Sequence, residues 1–230
     1  ADAPDMSEVE FTVYEVTATG ETAVIVAPGV TGVATFEFNT FAPGTYKVVE
    51  TKVPAGFAKD ADVEFKVLDD GTIVAADSTA TTGVATYTAT VTNTSNSVEI
   101  TKTFTGSANI PDMSEVEFTL YEVTATGDVL VEAKTGTTGD NKITFKTLAS
   151  GSYKLVETKI PAGFVKSDDV EFKVLEDATI VETTSTAATG DLNYTVSVEN
   201  KANVVKVTKT FVGADAPDMS EVEFTVYEVT

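Results

Sequence analysis

Apolar and polar side chains alternate with a period of two along most of this chain, in short runs rich in Val, Thr, Tyr and Phe. Gly, Asp, Pro and Ser separate the runs, which is the pattern of half-buried strands joined by turns. Between positions 98 and 200 the runs predict strands over 98–104, 115–124, 129–134, 143–148, 153–159, 170–175, 179–183 and 194–200. No stretch carries a helical period with caps. The expectation is an all-β chain of tandem β-sandwich domains of Ig-like size. A Thr-rich phase such as Thr86, Thr88, Thr90 and Thr92 suits the solvated face of a last strand in the first domain.

The same strings return at long intervals. "PDMSEVEFT" starts at Pro4, Pro111 and Pro217, and "YKVVETKVPAGF" from Tyr46 recurs as "YKLVETKIPAGF" from Tyr153. A repeat near 107 residues is the size of a small domain and too long for a solenoid unit of roughly 20–50 residues. The division expected is a first repeat over 1–97 that lacks its opening strand, a complete repeat over 98–203, and the first strands of a third over 204–230. Residues 1–17 are identical to 214–230, whereas the middle copy is looser. The expectation is therefore a window on a longer array that continues after Thr230 with "ATGETAVIV", as after Thr17.

Three polar residues per repeat fall in an apolar phase. Val98, Ile100, Lys102 and Phe104 share one side of a strand, because a strand alternates its side chains between faces. Tyr153, Leu155 and Glu157 do the same, and so do Tyr194, Val196, Val198 and Asn200. The first repeat offers Glu50 and Asn93, with its lysine falling before Ala1; the third offers Lys209. Asn96 and Asn203 recur at the same offset as Asn93 and Asn200, but the latter pair continues the apolar phase directly. Inward lysines can guard edge strands, a buried Lys–Glu pair can be satisfied by an Asn, and strand-end residues can reach solvent. A second reading is chemical: burial lowers a lysine pKa and raises that of a carboxyl group. A neutral Lys102 amine would then attack the Asn200 carboxamide, with Glu157 polarising its carbonyl and moving protons. Ammonia would leave, and a single-turnover self-cross-link would remain rather than an enzyme.

Composition narrows the field. The 230 residues carry 15 Lys and Arg against 36 Asp and Glu, a net charge of −21, and all the cations are lysine. Zero His and zero Cys exclude His or Cys metal sites, disulfides and His-dependent triads. The acidity argues against nucleic acid, and no apolar run nears the roughly 20 residues of a membrane span. Neither a cofactor nor a metal is expected. Acidic groups such as Asp60, Asp62, Asp69 and Asp70, or Asp168 and Asp169, match no EF-hand spacing and suit solvated turns. "NTS" at Asn93 and "NYT" at Asn193 match the glycosylation sequon.

"YKLVETKIPAGF", an inward Lys in "ITKTF" and an Asn closing "VSVEN" resemble the Cna B-type, or SpaA-like pilin, domains. The resemblance covers essentially the whole chain as successive copies. It implies prealbumin-like sandwiches of Gram-positive surface adhesins and pili. It also implies that Lys102, Glu157 and Asn200 form the isopeptide triad of the second repeat, Glu50 and Asn93 part of the first, and Lys209 part of the third. Thioester or ester cross-links of related surface proteins would need Gln, which is absent. The function expected is a stalk on the bacterial surface, with neighbouring repeats as partners and any host ligand held by other domains. The alternatives are a ligand-binding adhesin module and a self-assembling surface filament.

Overall fold

The structure is a computed structural model, and it describes residues 4–212, 220 and 222–227. The first repeat contributes β1 (Glu10–Thr17), β2 (Gly20–Pro28), β3 (Gly44–Lys52), β4 (Phe57–Ala58), β5 (Val63–Val67), β6 (Ile73–Ala75) and β7 (Thr94–Ser95). The second contributes β8 (Ser97–Thr105), β9 (Glu117–Thr124), β10 (Gly127–Thr135), β11 (Lys142–Lys146) and β12 (Gly151–Lys159). It continues with β13 (Phe164–Val165), β14 (Val170–Val174), β15 (Ile180–Glu182) and β16 (Asn193–Ala202).

The second repeat is a complete two-sheet sandwich. One sheet runs β10-β9-β12-β14-β15 and the other β11-β8-β16-β13. Alternation puts Phe118 and Leu120, Tyr153 and Leu155, and Phe172 and Val174 on the inner face of the first sheet. Val98, Ile100, Ile143, Phe145 and Val198 meet them from the second. Burying each such side chain contributes about 1.5–3 kcal/mol. The first and last strands of this repeat, β8 and β16, are hydrogen-bonded neighbours running parallel, with Lys102 opposite Val198 and Phe104 opposite Asn200.

The first repeat forms only half of this. Its five-stranded sheet, β2-β1-β3-β5-β6, matches its counterpart, but the opposing sheet is reduced to the β4–β7 pair. Residues 34–42 and 85–93 carry no strand, so the last strand expected around Thr86–Thr92 does not form. The reason is pairing: in the second repeat both equivalents, β11 and β16, bond to the opening strand β8. With no opening strand in the first repeat, the ladder has nothing to build on. Val48, the counterpart of fully buried Leu155, is accordingly only half-buried.

Other differences from the expected pattern are local. A 3-10 turn over Met113–Glu115 replaces the start of the strand expected from 115, because the Asp112 carboxylate accepts from the Ser114 amide and caps the turn. The two-residue β13 was too short to leave a periodic signal. Residues 203–212 and 222–227 form no strand, contrary to the first strands expected for a third repeat. Residues 213–219, 221 and 228–230 lie outside the described residues.

Candidate functional site: a buried lysine, glutamate and asparagine

Three strands deliver the polar cluster of the second repeat. β8 supplies Lys102, β12 supplies Glu157 and β16 supplies Asn200, each by the inward phase of its strand. The Lys102 and Glu157 side chains are 0% and 1% exposed, with Nζ 3.3 Å from Oε1. The other glutamate oxygen, Oε2, accepts from Asn200 Nδ2 at 2.8 Å. Glu157 thus bridges the amine and the carboxamide.

The surroundings hold these groups in place. Asn200 Nδ2 also donates to the Val165 carbonyl on β13 at 2.8 Å. Lys102 Nζ reaches the Val198 carbonyl at 3.4 Å and lies 5.0 Å from the centre of the Phe104 ring. Ser167 Oγ donates to Glu157 Oε2 at 3.3 Å. Burial pushes the Lys102 pKa below its ordinary value, opposed by the nearby Glu157 charge. An amine so placed sheds its proton more readily than one in water.

The amide is oriented differently from the sequence expectation. A carbonyl such as that of Val165 can only accept, so it fixes Nδ2 on its side of the carboxamide. Glu157 therefore faces the Asn200 nitrogen rather than polarising the oxygen, and Asn200 Oδ1 is buried with no hydrogen-bond partner among the described residues. The contributions of Val165 and Ser167 were not found in the sequence, since one acts through its backbone and the other from a loop.

The first repeat holds two of the three groups in the same relation. Asn93 Nδ2 donates to Glu50 Oε2 at 2.7 Å and to the Ala58 carbonyl at 3.1 Å. Glu50 is 4% exposed, its Oε1 has no hydrogen-bond partner among the described residues, and burial raises its pKa above the usual carboxylate range. Asp60 stands at the position of Ser167 and adds a like charge that raises it further. Lys209 is not brought to this pair: it is exposed, with Nζ 3.2 Å from the carbonyl of adjacent Thr210. Asn96 and Asn203 are not at either cluster; Asn96 is buried between the two repeats, and Asn203 is exposed.

The two-sheet, all-β sandwich, with its first and last strands side by side, is of the prealbumin-like class. The model of the SpaA prealbumin-like fold domain matches residues 2–82 and 96–189, and the chain belongs to this family. Among solved structures, it is similar to a C-terminal fragment of the pilus adhesin SpaC from Lactobacillus rhamnosus GG. That match has 16% identity over 90% of this chain and 95% of the other, with a TM-score of 0.40. The Bacillus anthracis TIE protein matches at 20% identity over 86% of this chain and 31% of its own, TM-score 0.38. The major pilin SpaD from Corynebacterium diphtheriae matches at 20% identity over 46% of this chain and 30% of its own, TM-score 0.34. No curated protein matches the sequence.

Proposed function

We propose that this chain is a piece of the stalk of a bacterial surface adhesin or pilus-like protein, whose complete repeats lock themselves with a Lys–Asn isopeptide bond. The observation that carries the reading is the buried contact of Lys102 and Asn200 with the two oxygens of Glu157. Membership in a family of prealbumin-like pilin domains supports the surface setting. No helix among the described residues is long and apolar enough to cross a membrane.

In the proposed reaction the neutral Lys102 amine attacks Cγ of Asn200. The Nζ–Cγ bond forms, the Cγ–Nδ2 bond breaks, and Glu157 carries a proton from Nζ to Nδ2. Nδ2 then leaves as ammonia. The group reacts once, so the domain is a substrate of its own chemistry and not a turnover enzyme.

Because β8 and β16 are parallel, chain entry and exit lie at opposite ends of the sandwich, and pulling would shear them. A bond between them would carry tension past the loop of roughly 100 residues, hiding roughly 300 Å of contour at about 3.3 Å per residue. Closing such a loop stabilises by about 4.7 kcal/mol in the chain-entropy model. The acidic surface would keep successive units soluble and mutually repelling.

Intact-mass measurement tests this. The chain is expected to be lighter than its sequence by one ammonia, and Lys102→Ala, Glu157→Ala and Asn200→Ala are each expected to restore the full mass. A full mass for the unaltered chain would overturn the cross-link.

A further inference from the structure

Asn96 lies just before β8, between the two repeats, and is fully buried. Its backbone amide donates to the Gly56 carbonyl of the first repeat, and its own carbonyl accepts from Thr147 of the second. Its side chain is wholly committed to the second repeat. Nδ2 donates to the carbonyls of Leu148 at 2.8 Å and Ala178 at 3.1 Å, while Oδ1 accepts from the Leu148 amide at 2.8 Å. A carboxamide, with two donors and an acceptor, fills this site in full. Neither Asp, Ser nor Leu could.

The surfaces on either side fit closely. A Cβ on Gly56 would lie 2.5 Å from the Thr147 carbonyl carbon, and Gly56 has a φ of +78°. Thr147 and Ala178, in the two receiving loops, have φ of 59° and 65°, a left-handed conformation that costs non-glycine residues energy.

The same parts recur at both outer ends of the pair. The Asn203 amide donates to the Gly163 carbonyl, as Asn96 does to Gly56. Gly163 has a φ of +84°, yet a Cβ there would meet nothing within 4 Å. Asn203 is exposed, and its side chain makes no hydrogen bond among the described residues. On the receiving side, Thr40 and Gly71 occupy the positions of Thr147 and Ala178 with φ of 67° and 79°. Both halves of the joint are thus held in shape where no neighbour covers them.

We propose that this asparagine is a docking residue that fixes each repeat on the next: Asn96 locks the observed joint, and Asn203 with Gly163 is the site for a third copy of the repeat. The occupant is named by complementarity, since the loops that would receive Asn203 are those of this same repeat at 147–148 and 178. The joint makes the array stiff by hydrogen bonding and shape, independently of the cross-link.

Hydrogen exchange and small-angle X-ray scattering on the full chain test the observed joint. Asn96→Ala is expected to abolish protection of the Leu148 amide; the near-isosteric Asn96→Asp keeps that acceptor but sets a carboxylate against the Leu148 and Ala178 carbonyls, and should lower the protection; both should broaden the distance distribution. Amides inside the second sandwich, such as that of Leu120, should stay protected, showing that the variants fold. Asn203→Ala should leave both measurements unchanged in this chain. In a chain prolonged through a complete third repeat, Asn203→Ala should broaden the distribution as Asn96→Ala does. Unchanged Leu148 protection in both Asn96 variants, or no effect of Asn203→Ala in the longer chain, would overturn the proposal. Ammonia loss plays no part in these readouts, so failure of the joint and failure of the isopeptide reading remain distinguishable.

Discussion

Lys102 and Glu157 meet at 3.3 Å with both side chains removed from water, on strands that belong to opposite sheets of one sandwich. The pair therefore ties the two layers together through the middle of an apolar core. Breaking a buried pair by removing one partner leaves an uncompensated charge, whereas replacing both with apolar groups often costs nothing.

This asymmetry gives a stability prediction. Glu157→Ala is expected to lose the proposed cross-link, about 4.7 kcal/mol by loop entropy, and to leave the buried Lys102 amine without its partner, a further cost of about 1–3 kcal/mol. The double variant Lys102→Met with Glu157→Leu should lose the cross-link alone. Chemical denaturation of the second repeat, followed by hydrogen exchange at its core amides, reads the difference. Equal stability of the two variants would show that the Lys102 amine does not depend on Glu157 as a buried partner.

Much of this cluster was legible in the sequence because a strand's period of two is rigid. Lys102, Glu157 and Asn200 interrupt apolar runs at positions that geometry must turn inward. What the period could not reveal was which atoms would meet. The amide orientation of Asn200 is set by the backbone carbonyl of Val165, on a strand of two residues. Asn96 looked like a second-best acceptor, since its role depends on loops about 50 and 80 residues further along the chain. The half-formed first repeat was legible only in part. Its missing opening strand was expected, but the loss of two further strands follows from sheet pairing, a non-local property.

Glu50 gives a pH prediction. Its carboxyl is buried without a lysine, and its folded pKa is raised above the ordinary 4.5, chiefly by desolvation. The folded state therefore binds this proton more tightly than the unfolded chain, so Glu50 contributes stability as pH falls through its raised pKa towards 4.5. At neutral pH the ionised form costs stability. Glu50→Gln should stabilise the first repeat at pH 7, and its advantage over the unaltered chain should shrink as pH is lowered to about 4.5. Melting curves across that range check the sign; an advantage that grows with acidity would contradict it.

Identical substitutions at matching positions should report the missing sheet. Phe118 is 1% exposed between two layers, whereas its counterpart Phe11 is 8% exposed, with Phe36 edge-on at 4.7 Å and an opposing layer reduced to the β4–β7 pair. Truncating a fully enclosed Phe costs about 3–5 kcal/mol. Phe118→Ala should fall in that range and Phe11→Ala clearly below it, measured by denaturant unfolding of each repeat. A cost at Phe11 equal to that at Phe118 would mean that the first repeat encloses its core in another way.

The last prediction concerns where the chain opens first. Residues 34–42 and 85–93 have no ladder partner, and their backbone groups are not tied into a sheet. The equivalent residues of the second repeat lie in β11 and β16, bonded on the flanks of β8. Proteolysis needs a cleavable stretch to leave its surroundings, and segments whose backbone is not laddered into a sheet open at lower free energy, although Phe38, Phe41 and Tyr87 pack on the core of the first repeat. Both first-repeat segments contain bulky apolar residues suited to thermolysin, among them Phe36, Phe38, Phe41 and Tyr87. Brief digestion should therefore cut within 34–42 and 85–93 well before any site in 98–202, leaving a resistant fragment that contains the whole second repeat. Mass analysis of the early fragments decides the matter. Early cleavage within 98–202 at a comparable rate would show that the parallel pairing of β8 and β16 does not hold this sandwich closed, and the shear geometry argued for the stalk would fall with it.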